Sequence, residues 1–340
     1  MRKFFLWTGV VLPVLLMHAC QADYPGAWIK ISGYTQGTTY NITYNSPDSS
    51  IYQEELEHVL KDFDNSLSTY LESSLISRFN QDEPGLEPDN YFLTCFKCAK
   101  EVHRSTAGAF DITVAPIVNA WGFGFTEAEE VDSFLIDSLL QYLGMENVGI
   151  VDGMLWKDRE GIMLDMNAIA QGYAVDVLCE FLESKGIINY LVEIGGEIRT
   201  LGHNSRGTEW KVGIDRPIEG LQIPGVDLQA IVGISDRSLA TSGNYRKFYE
   251  KDGVKYSHTI DPETGYPVQH GLLSATVLAG DCMRADAYAT GFMVMGFEKS
   301  REFLLNQSDL DAYLIYNDDE GKYRVWYTDG MKKILIKGKD

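Results

Sequence analysis

The chain is short of positive charge. Its 340 residues include 29 Lys and Arg against 49 Asp and Glu, which gives a formal net charge of -20. This balance argues against binding to nucleic acid and against adhesion to anionic lipid, because both of those partners are negatively charged. If the protein binds a ligand that contains phosphates, we expect a metal cation to lie between the phosphates and the protein.

Long apolar runs are also scarce. The run near the start covers residues 4–17 and follows Arg2 and Lys3. A membrane-spanning helix needs roughly 20 apolar residues, so this run is too short, and two basic residues before a short apolar core are typical of a secretory signal. No later segment is long enough to span a membrane. We therefore predict that the folded part works outside the cytoplasm.

Cys20 closes this region in a pattern that resembles a bacterial lipoprotein signal. It directly follows Ala19, although His18 stands where a small residue is expected. We predict a lipoprotein-type signal peptide over 1–19, with Cys20 as the first mature residue, and a tether over 20–30. Ordinary signal cleavage nearby, with Cys20 incidental, is the alternative. The expected location is the bacterial cell envelope, as an inner-membrane lipoprotein that faces the periplasm and reaches the membrane only through its lipid anchor.

Only four cysteines follow Cys20. Cys95 and Cys98 form a C-x-x-C pattern, but it falls inside a helical pattern over 91–106, and no second pair completes a zinc site. A redox motif of this type normally opens a helix in a thioredoxin-like context. We interpret these cysteines as structural or incidental; a local disulfide and a redox function are the alternatives.

The chain lacks both standard phosphate-binding loops, since no G-x-G-x-x-G follows a predicted strand and no Walker loop occurs. It also lacks a Pro/Ser-rich linker, a low-complexity run and an internal repeat, while 45% of its residues are hydrophobic. We predict that residues 31–340 form one domain with an ample core.

Helical and strand-like patterns alternate irregularly along the chain. Strands cluster in the second half, with helices inserted and no regular βαβ order, which predicts an α+β fold with a largely antiparallel mixed sheet and packed helices. The predicted helices cover about 51–67, 89–107, 132–143, 165–186, 283–295 and 298–306. The predicted strands are a pair over 28–44 that turns at Gln36-Gly37, and runs at 190–194, 198–201, 210–214, 228–234, 247–250, 272–278, 312–316, 323–327 and 333–336.

Polar residues mark one helix entrance, at 164–176. Asp165, Asn167 and Gln171 stand there among Ala and Gly, which leaves the backbone open to close approach. A helix start presents free N–H groups and the positive end of the helix dipole. This combination predicts a large polar ligand, and phosphate is a group that a helix start suits.

A second candidate is the pair Asp286 and Thr290. Residues four apart on a helix share a face, so a carboxylate and a hydroxyl point the same way. Two such oxygens suit Mg²⁺, which keeps several waters and shares phosphate oxygens with its substrate. By itself the pair is more often a capping or solvated pair.

Three further segments carry polar or aromatic groups at turns. The turn at 257–267 follows a strand and carries His258, a candidate base or ligand; a surface hairpin is the alternative. The segment 241–246 offers hydroxyls, an amide and a cation that suit phosphate or ribose, with a plain turn as the alternative. Aromatic residues beside glycines at 108–113 and 121–124 predict a slot for a ring system, or else core and turns.

These segments, in this order, resemble the ApbE family, the FAD:protein FMN transferases. The resemblance runs from about residue 33 to 296. It is carried by Gly-Ala-Phe-Asp at 108–111, Leu-Asp-x-x-Ala-Ile-Ala-x-Gly-Tyr-Ala-x-Asp at 164–176, Gly-Gly-Glu at 195–197, Thr-Ser-Gly-x-Tyr-Arg at 241–246, Ser-His-x-Ile-Asp-Pro-x-Thr-Gly at 257–265, and Ala-Asp-Ala-x-Ala-Thr at 285–290.

The resemblance implies a chemistry and a site. Family members bind FAD with Mg²⁺ and move its FMN half onto a Thr or Ser hydroxyl of another exported protein, leaving AMP. The implied metal ligands are the backbone carbonyl of Ala168 and the side chains of Asp286 and Thr290. The implied FAD contacts are Gln36, Ala109, Phe110, Asp111, Asp165, Gln171 and the main chain at Ile260. The implied partner is an exported flavoprotein subunit with a Thr or Ser acceptor site.

Two departures from the family pattern keep other functions open. Gln36 replaces the usual Met of an early turn, and Gln171 occupies a position that is often charged. Both motivate an alternative, Mg²⁺-dependent hydrolysis of FAD to FMN and AMP. A third hypothesis is a lipoprotein that binds FAD without catalysing a reaction. The presence of both Asp286 and Thr290 argues against it. For transfer, a base must take the acceptor proton; His258 is the first candidate and Asp261 the second.

Overall fold

The structure is a computed structural model that describes residues 26–124, 131–218, 225–244, 248–251 and 254–338. The predicted signal peptide, Cys20 and residues 245–246 of one motif lie outside these ranges. Within the described ranges, no helix combines the length and the apolar character that a membrane span requires. The first strand already begins at Ala27, so residues 27–30 of the predicted tether belong to the sheet.

The strands and helices follow one another irregularly along the described chain. In order they are β1 (Ala27–Thr35), β2 (Thr38–Ser46), α1 (Gln53–Leu67), α2 (Leu75–Asn80), α3 (Asn90–Ser105), α4 (Ala115–Ala120), α5 (Ser133–Leu140), β3 (Val148–Val151), β4 (Met154–Lys157), α6 (Ala170–Ser184), β5 (Tyr190–Ile194), β6 (Glu197–Leu201), β7 (Trp210–Asp215), β8 (Leu228–Ile234), β9 (Ser238–Gly243), β10 (Phe248–Lys251), β11 (Val254–Ser257), β12 (Leu272–Ala279), α7 (Cys282–Leu305), β13 (Asp311–Asn317), β14 (Tyr323–Tyr327), α8 (Asp329–Ile334) and β15 (Leu335–Gly338).

An eight-stranded sheet with the order β1-β2-β5-β6-β9-β12-β13-β14 forms the centre, and its pairings are antiparallel. The β1–β2 hairpin turns as predicted. Thr35 pairs with Thr38, and Gln36 and Gly37 between them have φ angles of 49° and 73°. Positive φ at both turn residues matches the right-handed twist of a hairpin. The predicted α+β class with a largely antiparallel sheet is confirmed.

Each face of the central sheet is covered by a different layer. Helices α6 and α7 pack on one face, with α1 and α3 against them. The residues between these helices and the sheet form the main core, which includes Tyr190, Val192 and Phe292. The small sheet β15-β8-β7 and α8 cover the other face, around Tyr313 and Ile315. The apolar residues of the central strands are thus buried on both sides.

Aspartates begin several of the helices. Asp89 accepts a hydrogen bond from the amide of Phe92 at 2.8 Å and Asp132 accepts one from Leu135 at 2.8 Å, so α3 and α5 start where the sequence predicts. Asp281 does the same for α7 through the amide of Arg284. Side-chain oxygens at this position satisfy amides that have no partner within the helix.

The structure differs from the predicted elements at several points. Helix α6 begins at Ala170, after a turn, and not directly after Asp165. The segment before it is extended, because the main-chain N–H and carbonyl of Leu164 are both hydrogen-bonded to the side chain of Asn80. The segment 241–246 was predicted as a loop, but strand β9 runs to Gly243 because β12 pairs with it. The elements α2, α4, α8, β3, β4 and β9 were not predicted, whereas β11 is the strand expected before the turn of His258.

The four cysteines after Cys20 are free thiols, all buried. Burial raises the pKa of each thiol, so the reactive thiolate is disfavoured. Cys95 and Cys98 therefore belong to the core of α3, in agreement with the structural interpretation.

Candidate active site

A cleft of about 440 Å³ opens beside the helical face of the central sheet. Its walls come from α1, the loop before α4, the turn before α6, β9, the turn after β11, and α7. The predicted site residues that line it are Gln36, Ala109, Phe110, Asp111, Asp165, Ala168, Gln171, His258, Ile260, Asp286 and Thr290. Segments far apart in the chain therefore meet at one place.

Asp286 and Thr290 lie on α7 with their side chains toward this cleft. The Asp286 Oδ2 atom accepts a hydrogen bond from the amide of Gly172 at 3.0 Å, in the first turn of α6. The Thr290 hydroxyl lies 3.0 Å from the Ser242 hydroxyl on β9. Helix α6 has no side-chain cap of its own, so a carboxylate from the neighbouring helix satisfies one of its free amides.

The electrostatics around Asp286 suit a cation. Burial raises its pKa to about 7, and the charge of Asp176 adds to that shift. Glu197 is also buried and lines the same cleft, and burial followed by the charge of Asp286 raises its pKa well above the usual value. Among the described lining residues there is no Lys or Arg. Two buried carboxylates without a basic partner fit a site for a divalent cation.

Beside Asp286, the other expected metal ligands are a hydroxyl and a main-chain carbonyl. No group of three or more His, Cys, Asp or Glu side chains suited to a metal occurs in the described ranges. The expected ligand set contains one carboxylate, the hydroxyl of Thr290 and the main-chain carbonyl of Ala168. All three residues line the cleft, and oxygen donors of these kinds are the ones Mg²⁺ prefers. The residues present therefore fit Mg²⁺.

The turn before α6 carries Asp165, Asn167 and Ala168. The Asp165 Oδ1 atom accepts from the amide of Asn167 at 2.8 Å, which fixes the turn, and the Asp165 amide donates to the carbonyl of Ile112 at 2.7 Å. A short polar side chain that holds its own backbone in this way is a common turn device. These two hydrogen bonds hold the turn in place at the edge of the cleft.

Gln171 is engaged with the protein. Its amide nitrogen donates to the Ile194 carbonyl at 3.0 Å and to the Glu197 carboxylate at 2.5 Å. Gly195 has a φ of 60°, which favours glycine, and a Cβ there would displace this amide. Both N–H groups of Gln171 are used, which leaves its Oε1 atom for any contact with a ligand.

The 109–111 segment is held from α3. The His103 Nδ1 atom lies 2.9 Å from the Phe110 carbonyl and 3.4 Å from the Asp111 carboxylate. Asp111 also accepts from the amide and the hydroxyl of Thr113, at 2.7 and 2.6 Å. Burial raises the pKa of Asp111. Its carboxylate thus shapes this wall as well as lining it.

His258 and Asp261 belong to the same turn but point to different places. His258 lines the cleft, with its ring 6.4 Å from that of Phe123. Asp261 does not line it; its Oδ1 atom accepts from the amide of Glu263 at 2.9 Å and closes the turn. Trp121, predicted as part of an aromatic slot, is buried in a small cluster and donates its indole N–H to the carbonyl of Gly265 at 2.8 Å.

Several lining residues were not in the predicted site. Glu197 and Ser242 fall within motifs that the resemblance includes, so the sequence did contain a signal for them. Asp64 and Tyr70 also line the cleft. Burial raises the pKa of Asp64, which is hydrogen-bonded to Gln36. Neither was recognisable from sequence, because Asp64 on an amphipathic helix and Tyr70 in the turn after it both resemble ordinary surface residues.

The structure combines an α+β fold with a cleft at which polar side chains from distant segments meet. The ApbE family model matches residues 36–314. The chain is 37% identical to the FAD:protein FMN transferase of Vibrio cholerae serotype O1, over 97% of this chain and 99% of that protein, and 34% identical to that of Escherichia coli K12, over 91% and 90%.

Solved structures agree with these sequence matches. The flavin transferase ApbE from Vibrio cholerae superposes with a TM-score of 0.81 at 38% identity, covering 92% of this chain and all of that one. The apo form of the Pseudomonas stutzeri flavinyl transferase ApbE gives a TM-score of 0.82 at 30% identity, covering 93% and 99%. The chain belongs to the ApbE family, and it is a transferase.

Proposed function

We propose that this protein transfers the FMN half of FAD to a Thr or Ser hydroxyl of an exported acceptor protein, with Mg²⁺, and releases AMP. The observation that carries the proposal is the cleft in which Asp286, Glu197 and Thr290 face the turn of Ala168. The relatives named as FAD:protein FMN transferases, which match nearly the whole chain, support FAD and a protein as the two substrates.

In the proposed reaction the acceptor oxygen attacks the flavin-side phosphorus of FAD, and the bond from that phosphorus to the oxygen bridging to AMP breaks. Bound Mg²⁺ would neutralise charge on the pyrophosphate. Asp286, Thr290 and the carbonyl of Ala168 would hold the cation. His258 lines the cleft and takes the acceptor proton, whereas Asp261 is turned into its own loop and serves that role less well.

The test mixes the protein with FAD, Mg²⁺ and an exported flavoprotein subunit that carries an acceptor Thr. Covalent flavin fluorescence on the acceptor band, lost in an acceptor with Thr replaced by Val, is the expected result. Chelation of Mg²⁺ and the variant Asp286→Asn should each abolish transfer. His258→Ala should lower the transfer rate with FAD still saturating; an unchanged rate would show that His258 is not the base.

Hydrolysis of FAD to FMN and AMP is the second candidate. The departures from the family pattern at Gln36 and Gln171 motivate it, and Gln171 donates both of its N–H groups to Ile194 and Glu197 of the protein. Incubation with FAD and Mg²⁺ alone separates the two reactions. Rapid AMP release without an acceptor supports hydrolysis, and FAD that survives even with an acceptor supports binding without chemistry.

We also propose a lipoprotein anchored at Cys20 in the inner membrane and facing the periplasm. The support is the short apolar run at 4–17 after two basic residues. Incorporation of a labelled fatty acid into the expressed protein, lost in Cys20→Ser, is the expected result. A soluble periplasmic product from both forms would contradict the anchor.

A further inference from the structure

Helix α7 is interrupted at Gly296, where φ is 75° and ψ is 178°. Such a conformation favours glycine, and it disturbs the ladder of main-chain hydrogen bonds around it. Two carbonyls in the turn before the interruption accept from side chains. The Met293 carbonyl lies 2.9 Å from the His270 Nε2 atom, and the Phe292 carbonyl accepts from the Ser300 hydroxyl at 3.2 Å.

The contacts of His270 define its protonation. Its Nδ1 atom accepts from the amide of Leu272 at 3.3 Å, so that nitrogen carries no proton, and Nε2 must be the donor to Met293. The imidazole is therefore neutral, and burial lowers its pKa. Its ring lies against Gly296, since a Cβ there would be 2.9 Å from the His270 Cδ2 atom.

His270 lies three residues after the turn at 257–267, which carries His258. Within that turn the amide of Val268 donates to the carbonyl of Thr259 at 3.0 Å, and Ile260 and Pro267 form an antiparallel bridge. These contacts join the two sides of the turn into one unit. Where the chain leaves the turn, His270 ties it to α7.

The two elements that His270 joins form adjacent walls of the cleft. The turn contributes His258, Thr259 and Ile260, and α7 contributes Thr290 and Met293. His270 itself is not among the lining residues, and its side chain bonds to the carbonyl of one of them. We propose that His270 is a positioning residue, which sets the spacing between the His258 wall and the α7 wall through its bond to Met293.

Two substitutions at His270 and one at Ser300 test this. His270→Phe keeps a ring but loses the donor, and His270→Gln retains a donor at the position of Nε2. Ser300→Ala is the matched control, because it removes the other side-chain bond to a carbonyl of the same turn, at Phe292, which is buried in the core and does not line the cleft.

Part of the test rests on the proposed function. Misplacement of reacting groups by about 1 Å can cost roughly 100-fold in rate, and we expect His270→Phe to lower kcat/KM for transfer by about 10-fold or more. We expect His270→Gln to stay within about threefold of wild type, and Ser300→Ala to lower Tm without changing kcat/KM. Equal losses in His270→Phe and Ser300→Ala, or no loss in His270→Phe, would overturn the proposal.

Hydrogen exchange provides a readout that needs neither FAD nor an acceptor. His270→Phe should speed amide exchange both in 259–268 and in 290–297, because it frees both walls, whereas Ser300→Ala should speed it in α7 alone. If wild type binds no FAD, the proposed function fails, and exchange still decides the role of His270: unchanged exchange in 259–268 of His270→Phe refutes it.

Discussion

Replacing Gly172 with Ala tests the contact on which the cleft depends. Gly172 lies in the first turn of α6, where its amide donates to Asp286 of α7. A Cβ at this position would lie 2.7 Å from the Asp286 Cβ atom and would overlap the carbonyl of Cys282. The carbonyl belongs to the backbone of α7 and cannot swing away. The two helices must therefore move apart by a substantial fraction of an ångström.

Two opposing effects set the magnitude. Overpacking of a closely packed interface typically costs about 1–3 kcal/mol, whereas Ala favours a helix over Gly by about 1 kcal/mol. The net loss in the free energy of unfolding should be about 0–2 kcal/mol. The effect on activity should be larger, since the shift separates Asp286 from the turn of Ala168, and a misplacement of about 1 Å can cost roughly 100-fold in rate.

Thermal unfolding, Mg²⁺ titration and flavin transfer measure these effects on one preparation. The control is Gly280→Ala, just before α7, where an added Cβ would meet nothing within 4 Å. We expect the control to keep Tm and transfer near wild type. Gly172→Ala with wild-type Mg²⁺ affinity and transfer rate would show that the close approach of α6 and α7 does not define the site.

Three other predictions concern groups around the cleft. Asp176→Asn should lower the free energy of unfolding by about 2–4 kcal/mol in chemical denaturation, because the buried carboxylate accepts from the partly buried Arg199 at 2.9 Å and from two amides of α7, and Arg199 would keep only Glu183 as its carboxylate partner; a wild-type midpoint would contradict this. Since the folded-state pKa of His270 is lowered, the unfolded chain binds more protons, so stability should fall as the pH drops below about 6.5, and His270→Gln should remove that part of the slope. Trp121→Phe removes the donor to the buried Gly265 carbonyl and should cost about 1–2 kcal/mol in chemical denaturation without changing Mg²⁺ affinity; a wild-type unfolding midpoint would contradict this.

Local sequence rules predicted much of the secondary structure. The Gln36-Gly37 hairpin, the α3 start at Asp89 and the α5 start at Asp132 follow from turn and capping preferences that involve neighbouring residues only. The motif carrying Asp286 and Thr290 was also recognisable, because a spacing of four residues on a helix determines which side chains share a face.

Contacts between distant segments were beyond these rules. Nothing local to Asp64 shows that it meets Gln36, and nothing local to His270 shows that its partner is a carbonyl in α7. The segment 241–246 was predicted as a loop because of its hydroxyls, amide and glycine, yet pairing with β12 makes residues 241–243 part of strand β9. In each case the decisive partner lies more than 20 residues away, where tertiary pairing overrides local preference.

The helix entrance at 164–176 shows how such partners change a functional interpretation. A helix start among small residues predicted free amides for a phosphate, but the amide of Gly172 is taken by Asp286, and Asp176 takes the amides of Cys282 and Met283 at the start of α7. Each helix is thus capped by an aspartate of the other. The described lining of the cleft carries carboxylates and no Lys or Arg, so we expect a bound cation to supply the attraction for a phosphate. The acidity of the whole chain and the mutual capping of α6 and α7 therefore both support the proposed divalent cation at Asp286.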